Sequence, residues 1–406
     1  MSKYWVLALT ILLLMVMQFS SDLSLPSFPA MQADLGVSAS DIQLTTLYSI
    51  ICFGVSLFIW GPCSDCFGRR PVALVGLLVF IAGCGFCIRS TNWLALMLGR
   101  CLQGVGIGSA GALSPAIPKD VFSGKKLVRA FALLSMSMGL FPIIAQISGG
   151  YLQATFGWRS SFFFLAGLGV LVFILFWRTF PETNTYATEA RKQFNIKTML
   201  KQSAAVLKDL PFGGYVLCLT LVYAGEIAYS IVAPFIIQNQ LGLNPIQHGW
   251  LSFFTGGGLL VGAGVSAKLS DKVNIHHLIS MGIGLMLISV VSMVSFVQLE
   301  YYFVQTVVGP MTIYMIGAGM LYPNCIAGIM DRFPQQSGIV GALMSALQMI
   351  GAGLFNTAVT FYHIDQQKPL SFLLCAIVCL TFLSFYAAIL RPRIVFAKAQ
   401  AYQSSF

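Results

Sequence analysis

Three ionisable residues stand well inside long apolar stretches of this chain: Asp22, Arg100 and Glu226. A charge at bilayer depth costs about 2.5–3.5 kcal/mol on insertion scales, so groups of this kind are placed beside a water-filled path. A carboxyl group there takes up and releases protons, and a cation arriving next to it expels the proton. That is the chemistry of exchange across a membrane rather than of bond-making. Each residue also has a plainer reading, Arg100 as a brace between helices and the two carboxyls as permanently protonated hydrogen-bond donors.

Other groupings carry less chemistry. Cys63-x-x-Cys66 and Cys84-x-x-Cys87 match a four-cysteine zinc template on paper. The separation of 18 positions from Cys66 to Cys84 would cover roughly 27 Å of helix, too far for one metal ion. Most of the ten cysteines fall in apolar runs, where a thiol behaves as a small hydrophobe. His248, His276, His277 and His363 lie near the ends of apolar segments without an H-E-x-x-H pattern. An intramembrane enzyme or a non-transporting receptor would need a nucleophile and base or a ligand cluster, so no enzymatic activity, metal or cofactor is expected.

The elements that position these residues follow from composition. With 57% hydrophobic and 9% charged residues and a mean hydropathy of +0.82, the 406-residue chain is too apolar for a soluble domain. Segments near the ~20 residues that a bilayer demands place twelve spans, at 4–30, 41–62, 71–90, 93–118, 128–152, 160–180, 211–240, 247–268, 276–297, 301–326, 335–360 and 369–391. The first follows Lys3 and lacks a small-x-small cleavage site, so it reads as an uncleaved helix and not as a secretory signal. Its apolar pattern runs on to Ala30. The fold class is therefore an all-α polytopic membrane protein.

The net charge of +10 concerns topology rather than nucleic acid. Of 23 Lys and Arg residues, 19 fall on the side of the N-terminus, three (Arg89, Arg159, Lys368) on the other, and Arg100 within a span. That bias places both termini in the cytosol. Pro181 to Pro211 is the longest polar segment and separates two sets of six spans: residues 1–180, a linker at 181–210, and residues 211–406. In the linker Lys192, Lys197, Lys201 and Lys208 alternate with Phe194, Ile196, Met199, Leu200 and Leu207, the pattern of an amphipathic helix at the membrane surface, with a solvated linker as the alternative. Leu35-Gly36 and Ser64-Asp65 recur 206 residues later as Leu241-Gly242 and Ser270-Asp271, a faint internal repeat. Asp22 and Glu226 nearly correspond under the same shift, on the first span of each half, and are expected to flank one cavity.

Between the second and third spans lies Gly61-Pro62-Cys63-Ser64-Asp65-Cys66-Phe67-Gly68-Arg69-Arg70-Pro71, a charged, turn-prone break. Gly61 and Gly68 permit close approach or a turn, Asp65 can sit against a helix N-terminus, and Arg69 and Arg70 mark a cytosolic face. The pattern G-x-x-x-D-x-x-G-R-R resembles the loop between helices 2 and 3 of the major facilitator superfamily, departing from it at Cys66. Arg100-x-x-Gln103-Gly104-x-Gly106, continuing to Gly108, resembles that superfamily's helix 4 signature. A phosphate-binding loop is the rival reading, disfavoured because no strand precedes it and the run lies inside a span. Gly139 to Gly150, with Pro142, Gly149 and Gly150, partly resembles the antiporter signature, with Gln146 where a proline is expected. Asp22-Leu23-Ser24-Leu25-Pro26-Ser27-Phe28-Pro29, Gly157-Trp158-Arg159, Pro181-Glu182-Thr183 and Tyr322-Pro323-Asn324 extend the resemblance along the chain, to twelve-helix drug/proton antiporters of the bicyclomycin-resistance type.

The resemblance implies two pseudo-symmetric six-helix bundles and proton-coupled efflux of small amphipathic compounds by alternating access. An exporter or importer of one metabolite, such as a siderophore or sugar, is the alternative. It also implies a bacterial inner-membrane location, a monomer in the lipid bilayer that partners small molecules and protons but no nucleic acid, and a proton gradient in place of any cofactor. Asp22, Glu226 and Arg100 would then line the path, while Gly61, Asp65, Gly68, Arg69, Arg70 and Asp120 would form a gating loop with Arg69 paired to Asp120. Gln103, Gly104, Gly108, Pro142, Gly149 and Gly150 would serve helix packing. Phe28, Tyr48, Tyr223, Tyr229 and Tyr314 are candidates for an aromatic lining of the path.

Overall fold

Apolar runs of this length leave no water to satisfy a backbone in the bilayer, so the chain must close its hydrogen bonds within helices. The computed structural model describes residues 2–184, 196–333, 337–360 and 366–390. It begins with α1 (Lys3–Asp22), a 3-10 turn at Leu25–Ser27 and α2 (Phe28–Leu35). Then come α3 (Ala39–Phe67), α4 (Arg69–Arg89), α5 (Trp93–Val121), α6 (Gly124–Phe156) and α7 (Arg159–Thr179). After the linker follow α8 (Ile196–Leu207), α9 (Leu210–Phe235) with a π-helical turn at Ile236–Gln240, and α10 (Pro245–Leu269). The chain continues through α11 (Ile275–Gln298), α12 (Val304–Arg332), α13 (Ser337–Thr360) and α14 (Gln367–Phe385).

Eleven helical segments among the described residues are long and apolar enough to cross a membrane. The helix α5 is as long as α3 at 29 residues and makes the twelfth. It is more polar because it carries Arg100, Gln103 and a run of glycines.

Two expectations are corrected. The first span is not one helix, since Pro26 and Pro29 interrupt it between Asp22 and Phe28. The Gly61–Pro71 stretch is not an open loop either. Helix α3 continues through Pro62 to Phe67, and α4 begins at Arg69, which leaves Gly68 alone as the connector. Gly68 has φ +99, a region that side chains disfavour. The charges read as loop-forming belong to helix ends, where Asp65 and Arg69 bridge the junction.

The chain divides into two compact units. One holds the described residues of 1–195, 229–256 and 349–366; the other holds those of 196–228, 257–348 and 367–406. In the first, α5 packs along both α3 and α4, α4 lies against α7, and α1 lies against α5, α6 and α7. Glycines on α5 make this approach close, for Gly104 abuts the carbonyl of Ser49 and Gly108 the hydroxyl of Ser56. Helix α6 keeps Met136 and Leu140 exposed. In the second unit α11 packs against α12 and α14.

Prolines inside helices free carbonyls one turn back, and side chains of neighbouring helices take them. Pro142 leaves the Met138 carbonyl without its helical donor, and Gln18 Nε2 donates to it at 3.2 Å. Pro310 does the same for Thr306, whose carbonyl accepts from Gln367 Nε2 at 3.4 Å. The repeat has a structural basis, because Gly36 and Gly242 both adopt positive φ, +62 and +70. The linker contains the helix α8, while Lys192 and Phe194 lie outside the described residues. At the start of α9, Asp209 accepts from the Phe212 N–H (2.8 Å) and holds Arg332 through two bonds of 3.0 and 2.6 Å. Burial pulls its carboxyl up, but Arg332 and the Phe212 N–H outweigh this and hold it below the usual value.

Candidate transport path and gating latch

Asp22 is the last residue of α1, at the interruption made by Pro26 and Pro29. A broken helix at membrane depth needs polar partners for its freed ends. The Asp22 carboxylate, half-buried, accepts from Gln146 Nε2 of α6 at 3.3 Å. Gln146 departs from the proline of the antiporter pattern, and in this chain it binds the Asp22 carboxyl. Close by, Gly149 abuts the carbonyl of Leu23, so α6 and the break in α1 meet through backbone. No spacing in the sequence linked Gln146 to Asp22, 124 residues apart.

Arg100 is 2% exposed. Its guanidinium donates to the Ser20 carbonyl (3.0 Å), to Gln103 Oε1 (3.2 Å) and to Thr46 Oγ1 (3.0 Å), and lies 5.9 Å from the Phe162 ring centre. Gln103 in turn donates to Cys84 Sγ at 3.0 Å. These contacts join α1, α3, α4, α5 and α7, which is the bracing geometry weighed above. Within the same unit Phe28 packs against Phe235, with ring centres 6.2 Å apart.

In the other unit Glu226 stands on α9, half-buried, and accepts from the Tyr322 hydroxyl of α12 at 3.2 Å. Among the described residues it forms no ion pair. Tyr314 is fully buried, its hydroxyl bonded to the Val222 carbonyl (3.2 Å) and pressed against Gly225. Tyr322 was singled out in the sequence only as part of a motif; its bond to Glu226 follows from the face that α12 turns to α9.

The candidate latch lies at the other end of the first unit. Arg69 Nη1 reaches Asp65 Oδ1 (2.6 Å) and Ser64 Oγ (2.7 Å), and Nε reaches Asp120 Oδ2 (2.9 Å). Gly61 offers its carbonyl to Ser64 Oγ at 2.8 Å. Arg70 donates to the Trp177 carbonyl. The N-terminus of α4 is held by Glu182, which accepts from the N–H groups of Arg69 (2.8 Å) and Arg70 (3.1 Å). A Cβ on Gly68 would collide with that carboxylate. The linker's first residues thereby tie the ends of α3 and α4 together, and Asn184 Nδ2 adds a bond to the Asp65 carbonyl at 3.0 Å.

A model of the family described as the Major Facilitator Superfamily matches residues 10–356. Multidrug resistance protein D of Escherichia coli (strain K12) is 28% identical over 349 residues, 86% of each chain. A bicyclomycin resistance protein homolog of Haemophilus influenzae is 25% identical over 381 residues, 92% of this chain and 94% of that one. The crystal structure of a D-xylose-proton symporter superposes with a TM-score of 0.74 at 15% identity, covering 94% of this chain and 97% of the other, a likeness of fold.

Proposed function

This chain belongs to the major facilitator superfamily, and we propose that it exports small amphipathic compounds from a bacterial cell in exchange for protons, by alternating access. The observation that carries this reading is Glu226. Its carboxyl sits in a spanning helix with a tyrosine hydroxyl bond and no ion-pair partner among the described residues, so an organic cation reaching it would supply the counter-charge. Asp22, at the break in α1, is the proton-carrying group. Arg100 holds the surrounding helices in register. The names of the relatives, multidrug resistance protein and bicyclomycin resistance protein homolog, support a drug-like substrate.

Residues 1–180 and 211–406 act as two six-helix bundles joined by 181–210, in the inner membrane, with both termini cytosolic. The protein works as a monomer, and the proton gradient is its energy source. The test is transport by purified protein in liposomes under an imposed pH gradient, against a panel of cationic, neutral and anionic compounds. Wild-type protein should accumulate cations uphill. Asp22→Asn should still bind drug yet lose gradient-driven accumulation, and Glu226→Gln should bind and accumulate cations more weakly. Uphill transport at the wild-type rate by the single and double variants would refute the mechanism.

A further inference from the structure

Gln146 also lines a small polar cavity. Its volume is about 20 Å³, and its polar walls are Gln146 of α6, Tyr229 and Ser230 of α9, and His248, Ser252 and Thr255 of α10. That is room for about one water molecule. His248 is 3% exposed, and its Nδ1 has no hydrogen-bond partner among the described residues. Buried polar atoms are nearly always paired, and histidine is the side chain whose charge changes between about pH 5 and pH 8.

The walls meet through backbone. A Cβ on Gly249 would lie 2.6 Å from the Gln146 carbonyl oxygen, and Gly150 abuts the carbonyl of Pro245. Helices α6 and α10 therefore close over His248 at the end of the bundle away from Lys3, and any separation of the two lets water onto the ring. Gln146 belongs to the pocket wall and to the hydrogen bonds of Asp22 at once. Besides His248, Tyr229 is the titratable group on the pocket wall, and Asp22 is bonded to the wall residue Gln146; among the described residues no lysine or arginine lines the pocket.

We propose that His248 is a proton-binding gate residue: when α6 and α10 part, the hydrated imidazole takes up a proton, and acid on that side of the membrane holds the gap open. In the closed arrangement a proton on Nδ1 would meet no acceptor, whereas in the open one water accepts its hydrogen bond. A proton that binds the open arrangement better shifts the population toward it by that difference in affinity. The inference rests on the transport reading for its purpose, and its geometry stands apart from it.

The experiment uses full-length protein in lipid nanodiscs, cleared of its native cysteines and spin-labelled at Phe156→Cys on α6 and Phe253→Cys on α10, both exposed positions. The long-distance population should grow several-fold as pH falls from about 8 to about 5. His248→Gln, which keeps hydrogen bonding but cannot titrate, should abolish that growth. An unchanged pH response in His248→Gln overturns the proposal, as does a response lost in Asp22→Asn but kept in His248→Gln. Should His248→Gln fail to fold, exchange of the imidazole C2 hydrogen in the unsubstituted protein reads the same ring, and a ring that does not titrate over this range overturns it equally. Drug movement does not enter these readouts. A protein that opens with acid and moves no drug would refute the transport reading and leave the gate standing.

Discussion

Arg69 holds three acceptors with one planar group, and its side chain is only 9% exposed against 19% for Asp120. Removing it strands a largely buried carboxylate. Arg69→Ala should cost about 1.5–3 kcal/mol, the range for hydrogen bonds to charged groups. Arg69→Lys should recover only part of this, since an ammonium lacks the fork that spans Asp65 and Asp120. Thermal unfolding in detergent reads both, and an Arg69→Ala protein as stable as wild type would contradict the latch. Arg69 and Asp120 were legible in the sequence because their motif places them. Glu182, 113 residues from Arg69, was not legible as the cap of α4, for only the folded linker brings it there.

At the scale of elements, the prolines show how helices exchange hydrogen bonds. The Gln18 amide is stabilising because Pro142 leaves the Met138 carbonyl free; with a residue that carries an N–H at 142, the helix would claim that carbonyl itself. Gln18→Ala should therefore cost about 0.5–1.5 kcal/mol in the natural background and almost nothing beside Pro142→Ala. A double-mutant cycle by chemical denaturation gives the coupling, and additive costs would show that the two residues act separately. The interior prolines were visible in the sequence as kink sites. The side chain that takes each freed carbonyl depends on which helix lies alongside, and the sequence has no period that reports this. The Gly61–Pro71 stretch misled for a related reason. Glycine, proline and charge signal a turn in water, whereas here the i,i+4 bond of Arg69 to Asp65 and the Glu182 cap carry helix to either side of Gly68.

At the scale of the molecule, the proposed orientation rests on charge bias. A thiol introduced by Lys125→Cys, at the start of α6, should react with an impermeant reagent only in inverted vesicles, and one introduced by Leu299→Cys, at the end of α11, only in right-side-out ones. Both are exposed positions. The opposite labelling pattern would reverse the topology and with it the direction of export.

Span number and family were determined by the sequence alone, because the cost of placing each residue in a bilayer is nearly additive along the chain and needs no knowledge of neighbours. The family motifs shared this locality, each a short run such as Asp65 to Arg70 or Arg100 to Gly108. What only the tertiary structure decided is which polar groups meet. Gln146 with Asp22, Tyr322 with Glu226, Gln18 with Met138 and Glu182 with the N-terminus of α4 all join residues about a hundred positions apart. Their pairing depends on how far each helix is rotated and how closely glycines let two helices approach. In a bilayer, where no water competes for a hydrogen bond, those two quantities settle which side chain satisfies which.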